Sequence, residues 1–243
     1  ADIIRHARTV INTPVAQGGL GGVEMPLWIN EDNIIAGNGR ANEYERVIDY
    51  LIDNDASPDG IGFQAHFIED FNGRVSGSSP QQVYERMERF AQKGLRLKAT
   101  EFDIDVGTNE SWQAQAMHDY LTVMFSHPAM DAITMWSFWQ GSGWRPNAAL
   151  YRTNWSEKPA MTAYRNLVFD EWWTEESGTS DDFGNFLVRA FKGDYDITVT
   201  YDGQDYVVPA TLNDDSSVMV SLPFFIALAG DYNNDGIVDA ADY

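Results

Sequence analysis

The sequence predicts an α/β protein made of parallel strand–helix units, followed by a small antiparallel β module. Two observations carry this. From about residue 26 to 170, short apolar runs alternate with segments of helical periodicity, the pattern of βαβ units and a parallel sheet. From Ser177-Gly178-Thr179 onward, apolar residues recur at every second position between turn clusters, the period of half-buried antiparallel strands.

The elements follow in order. Asp2 to Thr9 is helix-like, and Gly18 to Gly22 reads as a loop. Pro26 to Asn30 is the first strand; the helix after it places Tyr44, Val47, Ile48 and Leu51 on one face. Ile61 to Phe67 is the second strand. Ser79-Pro80 then supplies an N-cap and a proline at the first helical position, with Gly94 as the stop. Leu95 to Ile104 is the third strand, Trp112 to Phe125 its helix, ending at His127-Pro128. Ala132 to Trp139 is the fourth strand, and Pro159 opens a helix with Tyr164, Leu167 and Val168 inward. A closed (β/α)8 barrel needs eight such units, whereas four leave an open sheet with unpaired edges. In the β module, Phe186 to Phe191, Tyr195 to Tyr201, Tyr206 to Thr211 and Ser217 to Leu222 read as strands, with turns at Lys192-Gly193-Asp194 and Asp202-Gly203. The apolar run Pro223 to Ala229 leads into an acidic tail.

Composition excludes several function classes. With 16 Lys+Arg against 37 Asp+Glu, the formal net charge is -21, so nucleic acid and anionic membranes, which need clustered cations, are not expected partners. A neutral polymer or a calcium ion tolerates such a surface. There are no cysteines, hence no disulfides and no thiolate chemistry. No apolar run approaches the roughly 18 residues of a membrane span. Eight Trp supply flat rings that either fill a core or stack on sugar faces.

Three stretches carry candidate chemistry. In Leu95 to Asp105 the strand ends in Glu101 and Asp103, two apart and therefore on one face. Two acids at a strand end form an ion-pair network, a metal site or a catalytic pair; the neighbouring features favour catalysis, because the C-terminal strand ends of a parallel barrel line its active site. In Gly60 to Phe67, Gln64 and His66 share a face near a strand end. A lone strand histidine is more often a satisfied core residue, but here an acid pair follows one βα unit later. Ile133 to Trp139, followed by Gly141 to Asn147, puts Trp136 at a strand end and Trp144 on a glycine-flanked loop.

Gly-Ile-Gly-Phe-Gln-Ala-His-Phe, Ala-Thr-Glu-Phe-Asp-Ile and Met-Trp-Ser-Phe-Trp, in that order and spacing, resemble the sixth, seventh and eighth strands of glycoside hydrolase family 10. Leu27 to Asn33 resembles the fifth strand, and Asn147 to Tyr151 through Lys158-Pro159-Ala160 the end of the domain. The likeness covers roughly residues 26 to 173. It implies the C-terminal half of a (β/α)8 TIM barrel from a retaining endo-1,4-β-xylanase, acting on xylan or xylo-oligosaccharides without a catalytic cofactor. Carried over by position, Glu101 would be the nucleophile, with His66 bonded to it and Asp103 orienting the imidazole. Gln64 would contact the sugar beside the scissile bond, Trp136 and Trp144 would wall the cleft, and Asn33 would bind substrate. Asp32 stands where the family has an aromatic residue.

One family feature is absent. Retaining hydrolysis needs a second carboxyl about 5–5.5 Å from the nucleophile, which the family places in a Trp-x-x-x-Asn-Glu pattern on its fourth strand. Nothing before residue 26 matches, and the neighbours of Asn30-Glu31 align it with strand five. The first half of the barrel is thus expected to lie outside this chain, leaving the isolated polypeptide inactive.

The tail places Asp231, Asn233, Asp235, Asp239 and Asp242 at positions 1, 3, 5, 9 and 12 of an EF-hand loop, with Gly236 at 6 and the Ile237 carbonyl at 7. It resembles half of a dockerin module, implying a possible Ca2+ site and a cohesin-type or cell-surface partner. The expected organisation is residues 1–173 as half barrel, 174–223 as a β-sandwich-like module and 229–243 as a partial calcium loop, in a secreted or cell-surface protein. The rival reading is a non-catalytic xylan-binding or cell-surface scaffold protein.

Overall fold

The computed structural model describes residues 1–37, 39–68, 78–214 and 216–222. The chain divides into two units, Ala1–Glu171 and Trp172–Tyr243. The expected calcium loop with Asp231, Asn233, Asp235, Ile237, Asp239 and Asp242, and the apolar run before it, lie outside the described residues.

The first unit opens with helix α1 (Asp2–Asn12) and continues as parallel strands alternating with helices. The strands are β1 (Trp28–Glu31), β2 (Gly60–Phe63), β3 (His66–Ile68), β4 (Arg96–Asp105) and β5 (Met130–Met135); the helices are α2 (Ala41–Asp53), α3 (Pro80–Ala91), α4 (Glu110–Phe125) and α5 (Pro159–Asn166). All pairings are parallel: β1 with β2, and β4 with β2, β3 and β5. Four strand positions result, because β2 and β3 lie in succession along the same flank of β4.

The core sits between the sheet and its helices. Ile61, Phe63, Phe67, Leu97, Ala99, Phe102 and Ile104 are buried against Ile48, Leu51, Val83, Met87, Phe90, Met117, Leu121 and Met124. Rings interlock across this layer: Phe63 meets Phe90 at 5.6 Å, and Phe67 stacks on Tyr120 at 4.1 Å. The opposite face of the sheet carries polar groups and small residues. At Gly62 a Cβ would fall 2.5 Å from Asn30 Oδ1 and 2.9 Å from Thr100 Cγ2, so a side chain there would push the interior groups of the neighbouring strands aside.

Three expectations change in detail. The strand expected over 61–67 breaks at Gln64-Ala65, where Ala65 adopts φ 62, a left-handed conformation that interrupts the ladder. The fourth strand ends at Met135, so Trp136 to Trp139 lead into the loop. Val47 is exposed rather than inward, because the buried stripe of α2 runs through Ala41, Tyr44, Ile48 and Leu51.

Local signals hold where expected. Ser79 caps α3 by accepting from Gln82 N, and the Gln82 side chain accepts in turn from Ser79 N at 2.9 Å, a complete capping box with Pro80 at the first position. Ser79→Ala should cost about 1 kcal/mol of stability, read as a lowered urea midpoint with an unchanged m value. An unshifted midpoint would show that the cap is energetically idle.

In the second unit, of the four expected strands two form: β6 (Gly193–Tyr201) and β7 (Gln204–Leu212), an antiparallel hairpin. Asp202 and Gly203 have φ 50 and 75, the two positive values that a tight two-residue hairpin turn demands. Phe186 to Phe191 and Ser217 to Leu222 carry no strand, so among the described residues the module is a hairpin and not a sandwich. Alternation alone does not supply the partner that a strand needs.

Candidate active site

The site grows from the end of β4. Its pairing shows one extra residue: Ala99 faces Ile133 while Phe102 faces Met135. Ala99 and Phe102 are both fully buried on the helix side, so the two residues between them, Thr100 and Glu101, both turn to the other face. Thr100 is used locally, its hydroxyl lying 2.9 Å from Asn30 Oδ1 and 3.1 Å from the Phe63 carbonyl. Glu101 is left to face open space. Its backbone N–H donates to Gln64 O, which locks the bulge to the end of β2.

His66 bridges the two acids. Its Nδ1 lies 2.7 Å from Asp103 Oδ1 and its Nε2 lies 3.2 Å from Glu101 Oε2. Asp103 is buried, and its other oxygen accepts from Ser137 Oγ at 2.8 Å and Trp144 Nε1 at 3.3 Å. Three donors thus hold one buried carboxylate, as a charge out of water requires. Trp144 also packs edge-on against the His66 ring at 4.9 Å, with the Arg145 guanidinium 4.6 Å over its own face and bound to Asp105 at 3.0 Å.

Burial pulls the His66 pKa down, but the hydrogen bonds and charges of Asp103 and Glu101 outweigh it and hold the pKa above the ordinary 6.5. The geometry gives the reason: both ring nitrogens face carboxylate oxygens, and both can donate only as imidazolium. The stability this contributes is fully present below pH 6.5 and is lost as pH rises through the folded-state pKa. The His66 ring should titrate by NMR above 6.5, and Asp103→Asn should lower that midpoint. A midpoint at or below 6.5 would contradict the bridge.

Asp32, Asn33, Gln64, His66, Glu101, Trp136, Ser137, Ser142, Gly143 and Trp144 line one cleft of about 950 Å³. The structure therefore brings together Glu101, His66, Gln64, Trp136, Trp144 and Asn33, with Asp103 directly behind them. Trp136 and Trp144 leave 52% and 54% of their surface open, so they form walls and not core. Asn33 sits at φ 53 in the loop after β1. Beside it, Arg40 binds Glu31 at 3.0 Å and Asp32 at 2.6 Å. Glu31 is held below the usual carboxylate range, chiefly by the Asp32 backbone N–H, while its hydrogen bond pushes Asp32 up. Glu31 is engaged by Arg40 and is not among the cleft residues. Sequence reasoning missed Ser137 and Arg145. Ser137 lies inside the Met-Trp-Ser-Phe-Trp motif just after β5, the strand paired with the one that carries Asp103; the polar residue in that apolar motif was the available signal.

Comparison with known proteins agrees with this architecture. The profile of glycosyl hydrolase family 10 matches residues 20–167. Anti-sigma-I factor RsgI6 of Acetivibrio thermocellus is 28% identical over 165 residues, 68% of this chain and 20% of that protein. Endo-1,4-beta-xylanase B of Thermotoga neapolitana is 29% identical over 155 residues, 58% of this chain and 43% of the enzyme. The chain thus spans less than half the length of these curated relatives. Xylanase 10B of Thermotoga petrophila RKU-1, solved with xylobiose, superposes with a TM-score of 0.54 at 23% identity, over 69% of this chain and 52% of that one. This likeness shows the fold: the parallel sheet and its helices are the C-terminal half of a (β/α)8 barrel. The chain belongs to glycosyl hydrolase family 10.

Proposed function

We propose that this chain carries the nucleophile half of a retaining endo-β-1,4-xylanase site. The observation that carries the reading is the Glu101–His66–Asp103 line at the strand ends, opening into a cleft walled by Trp136 and Trp144. Glu101 attacks the anomeric carbon and forms a glycosyl-enzyme ester while the leaving oxygen takes a proton; water then cleaves the ester with retention. His66 aims the carboxylate, and Asp103, held by Ser137 and Trp144, aims His66. Gln64 and Asn33 supply hydrogen bonds to sugar hydroxyls, and the two indoles stack on the rings. No cofactor enters these steps.

The proton donor is a second carboxyl about 5–5.5 Å from Glu101, contributed by the other half of a barrel. The test compares residues 1–243 alone with the same residues joined to a family N-terminal half bearing Trp-x-x-x-Asn-Glu. The joined protein should release the β-anomer from xylan in preference to other β-1,4-glycans, and the chain alone should leave an aryl xylobioside intact. Rapid turnover by the chain alone, abolished by Glu101→Ala, would overturn the shared-site reading.

A relative named as an anti-sigma factor and not as a hydrolase matches 68% of the chain, so a family barrel is not always part of a named enzyme; the second reading is a barrel that binds xylan without cleaving it. Xylan binding by the joined protein with no turnover would select that reading. The setting we propose is extracellular or at the cell surface, where xylan is met. The loop spacing at 231–242 is proposed as a Ca2+ site contacting a cohesin-type partner.

A further inference from the structure

The segment after β5 builds a second aromatic surface, apart from the cleft. Phe138 and Trp155 leave 55% and 59% of their surface to solvent. Trp155 stacks on Trp139 at 5.2 Å with 10° between the rings, and Phe138 and Tyr151 stand 6.3 and 6.5 Å from Trp155. None of these four rings lines the cleft. The turn that presents Trp155 is pinned at both ends: Arg152 N donates to Ser156 O at 2.9 Å, and Trp139 Nε1 donates to Thr153 O at 3.3 Å.

Trp155 itself adopts φ 66. A bulky side chain in the left-handed region costs about 1–3 kcal/mol and persists where the surroundings impose it, often at a binding site. A core-filling role would reward that cost with burial, but this ring faces water. The rim settles the chemistry of an occupant. Arg152 is paired with Glu110, and Glu157 with Arg165, so among the described residues these two cations near the rings are compensated. On either side of Trp155 in the chain are Asn154 and Ser156, the Ser156 hydroxyl donating to Asn154 Oδ1 at 2.7 Å and accepting from Arg152 Nη1 at 3.1 Å. A polyanion finds no counter-charge on this face and is repelled by a chain of net charge -21. A neutral pyranose has what the surface asks for: an apolar C–H face for the indole and hydroxyls for the rim.

We infer that Trp155, backed by Trp139 and flanked by Phe138 and Tyr151, is a docking platform for pyranose rings of a neutral β-1,4-glycan outside the cleft. The choice of xylan as probe rests on the proposed function; the platform itself does not. It would hold a polymer at a second point, so that the cleft works on a tethered chain.

The test is retardation of residues 1–243 in native gels containing soluble neutral xylan, alongside xylobiose binding followed at the indole resonances. Trp155→Ala should weaken retardation by on the order of tenfold, the equivalent of about 1.4 kcal/mol, and leave xylobiose binding in the cleft unchanged. Trp136→Ala should weaken xylobiose binding in the cleft and leave the Trp155-dependent part of the retardation in place. Trp155→Gly relieves the left-handed backbone, so it should unfold no more easily than the parent chain while losing the same retardation; this separates binding from misfolding. Equal retardation of the parent chain and both Trp155 variants, or a Trp155 effect that disappears once the family N-terminal half is joined and completes the barrel beside β5, would overturn the proposal. Self-association in sedimentation that Trp155→Ala abolishes, with retardation unchanged, would overturn it in favour of contact with a second copy of this chain. Trp155-dependent retardation without any xylobiose binding would leave the platform standing and sink the cleft reading.

Discussion

Glu101→Gln, placed in a protein whose barrel is complete, should lower kcat by about four to six orders of magnitude, the range seen when a covalent nucleophile is removed. The amide matches the carboxylate in size and can still contact His66 Nε2, which lies 3.2 Å from the present Oε2. Substrate binding through Gln64, Asn33 and the two indoles should therefore survive, so KM should change little while kcat collapses. An amide carries no charge with which to form the glycosyl ester, and that alone accounts for the loss. Steady-state kinetics on an aryl xylobioside read the result. Activity within tenfold of the parent would remove Glu101 from the nucleophile role and reopen the question of which acid attacks.

Phe67→Ala should cost about 3–5 kcal/mol of stability, the usual loss for emptying a buried phenylalanine site. Phe67 is wholly buried, stacks on Tyr120 at 4.1 Å and meets Phe102 edge-on at 5.7 Å. It is also the middle residue of the three-residue strand β3, whose first residue is His66. The ring thus clamps the strand that aims the imidazole at Glu101. Against a typical total of about 5–15 kcal/mol, the loss is large enough to populate unfolded protein at room temperature. Urea unfolding reads it directly. A change below about 1 kcal/mol would show that the neighbouring rings close over the space.

The two outcomes differ in kind because they probe different links. Glu101 lines the cleft and contributes chemistry, so its loss should cost the fold only its share of the His66 bridge. Phe67 touches no substrate and acts only by holding β3 against β4.

Much of this was legible in the residues. Alternating apolar runs and helical stripes mark each βα unit, since burial on a sheet and on a helix imposes different periods. Proline and serine at 79–80 mark a helix start because the cap and the fixed φ act within one turn. Glu101 and Asp103, Gln64 and His66, and Trp136 at a strand end were readable as candidates because strand ends in a parallel barrel share one face. The change to a β module after Ser177 was readable from its period, but the number of strands was not: the two outer runs alternate equally well and carry no strand.

What the sequence by itself determined is local: the order of the elements, their periods and caps, and which residue types stand at the strand ends. What only the tertiary structure decided depends on neighbours distant along the chain. The extra residue between Ala99 and Phe102, which turns Glu101 to the cleft, exists only relative to β5. The donors on Asp103 come from Ser137 and Trp144, 34 and 41 residues away. The exposure of Trp155, in a residue type that usually seeks the core, follows from a turn pinned by Trp139. Register, satisfaction of a buried charge and exposure are properties of pairs of segments, and no window of sequence contains both partners.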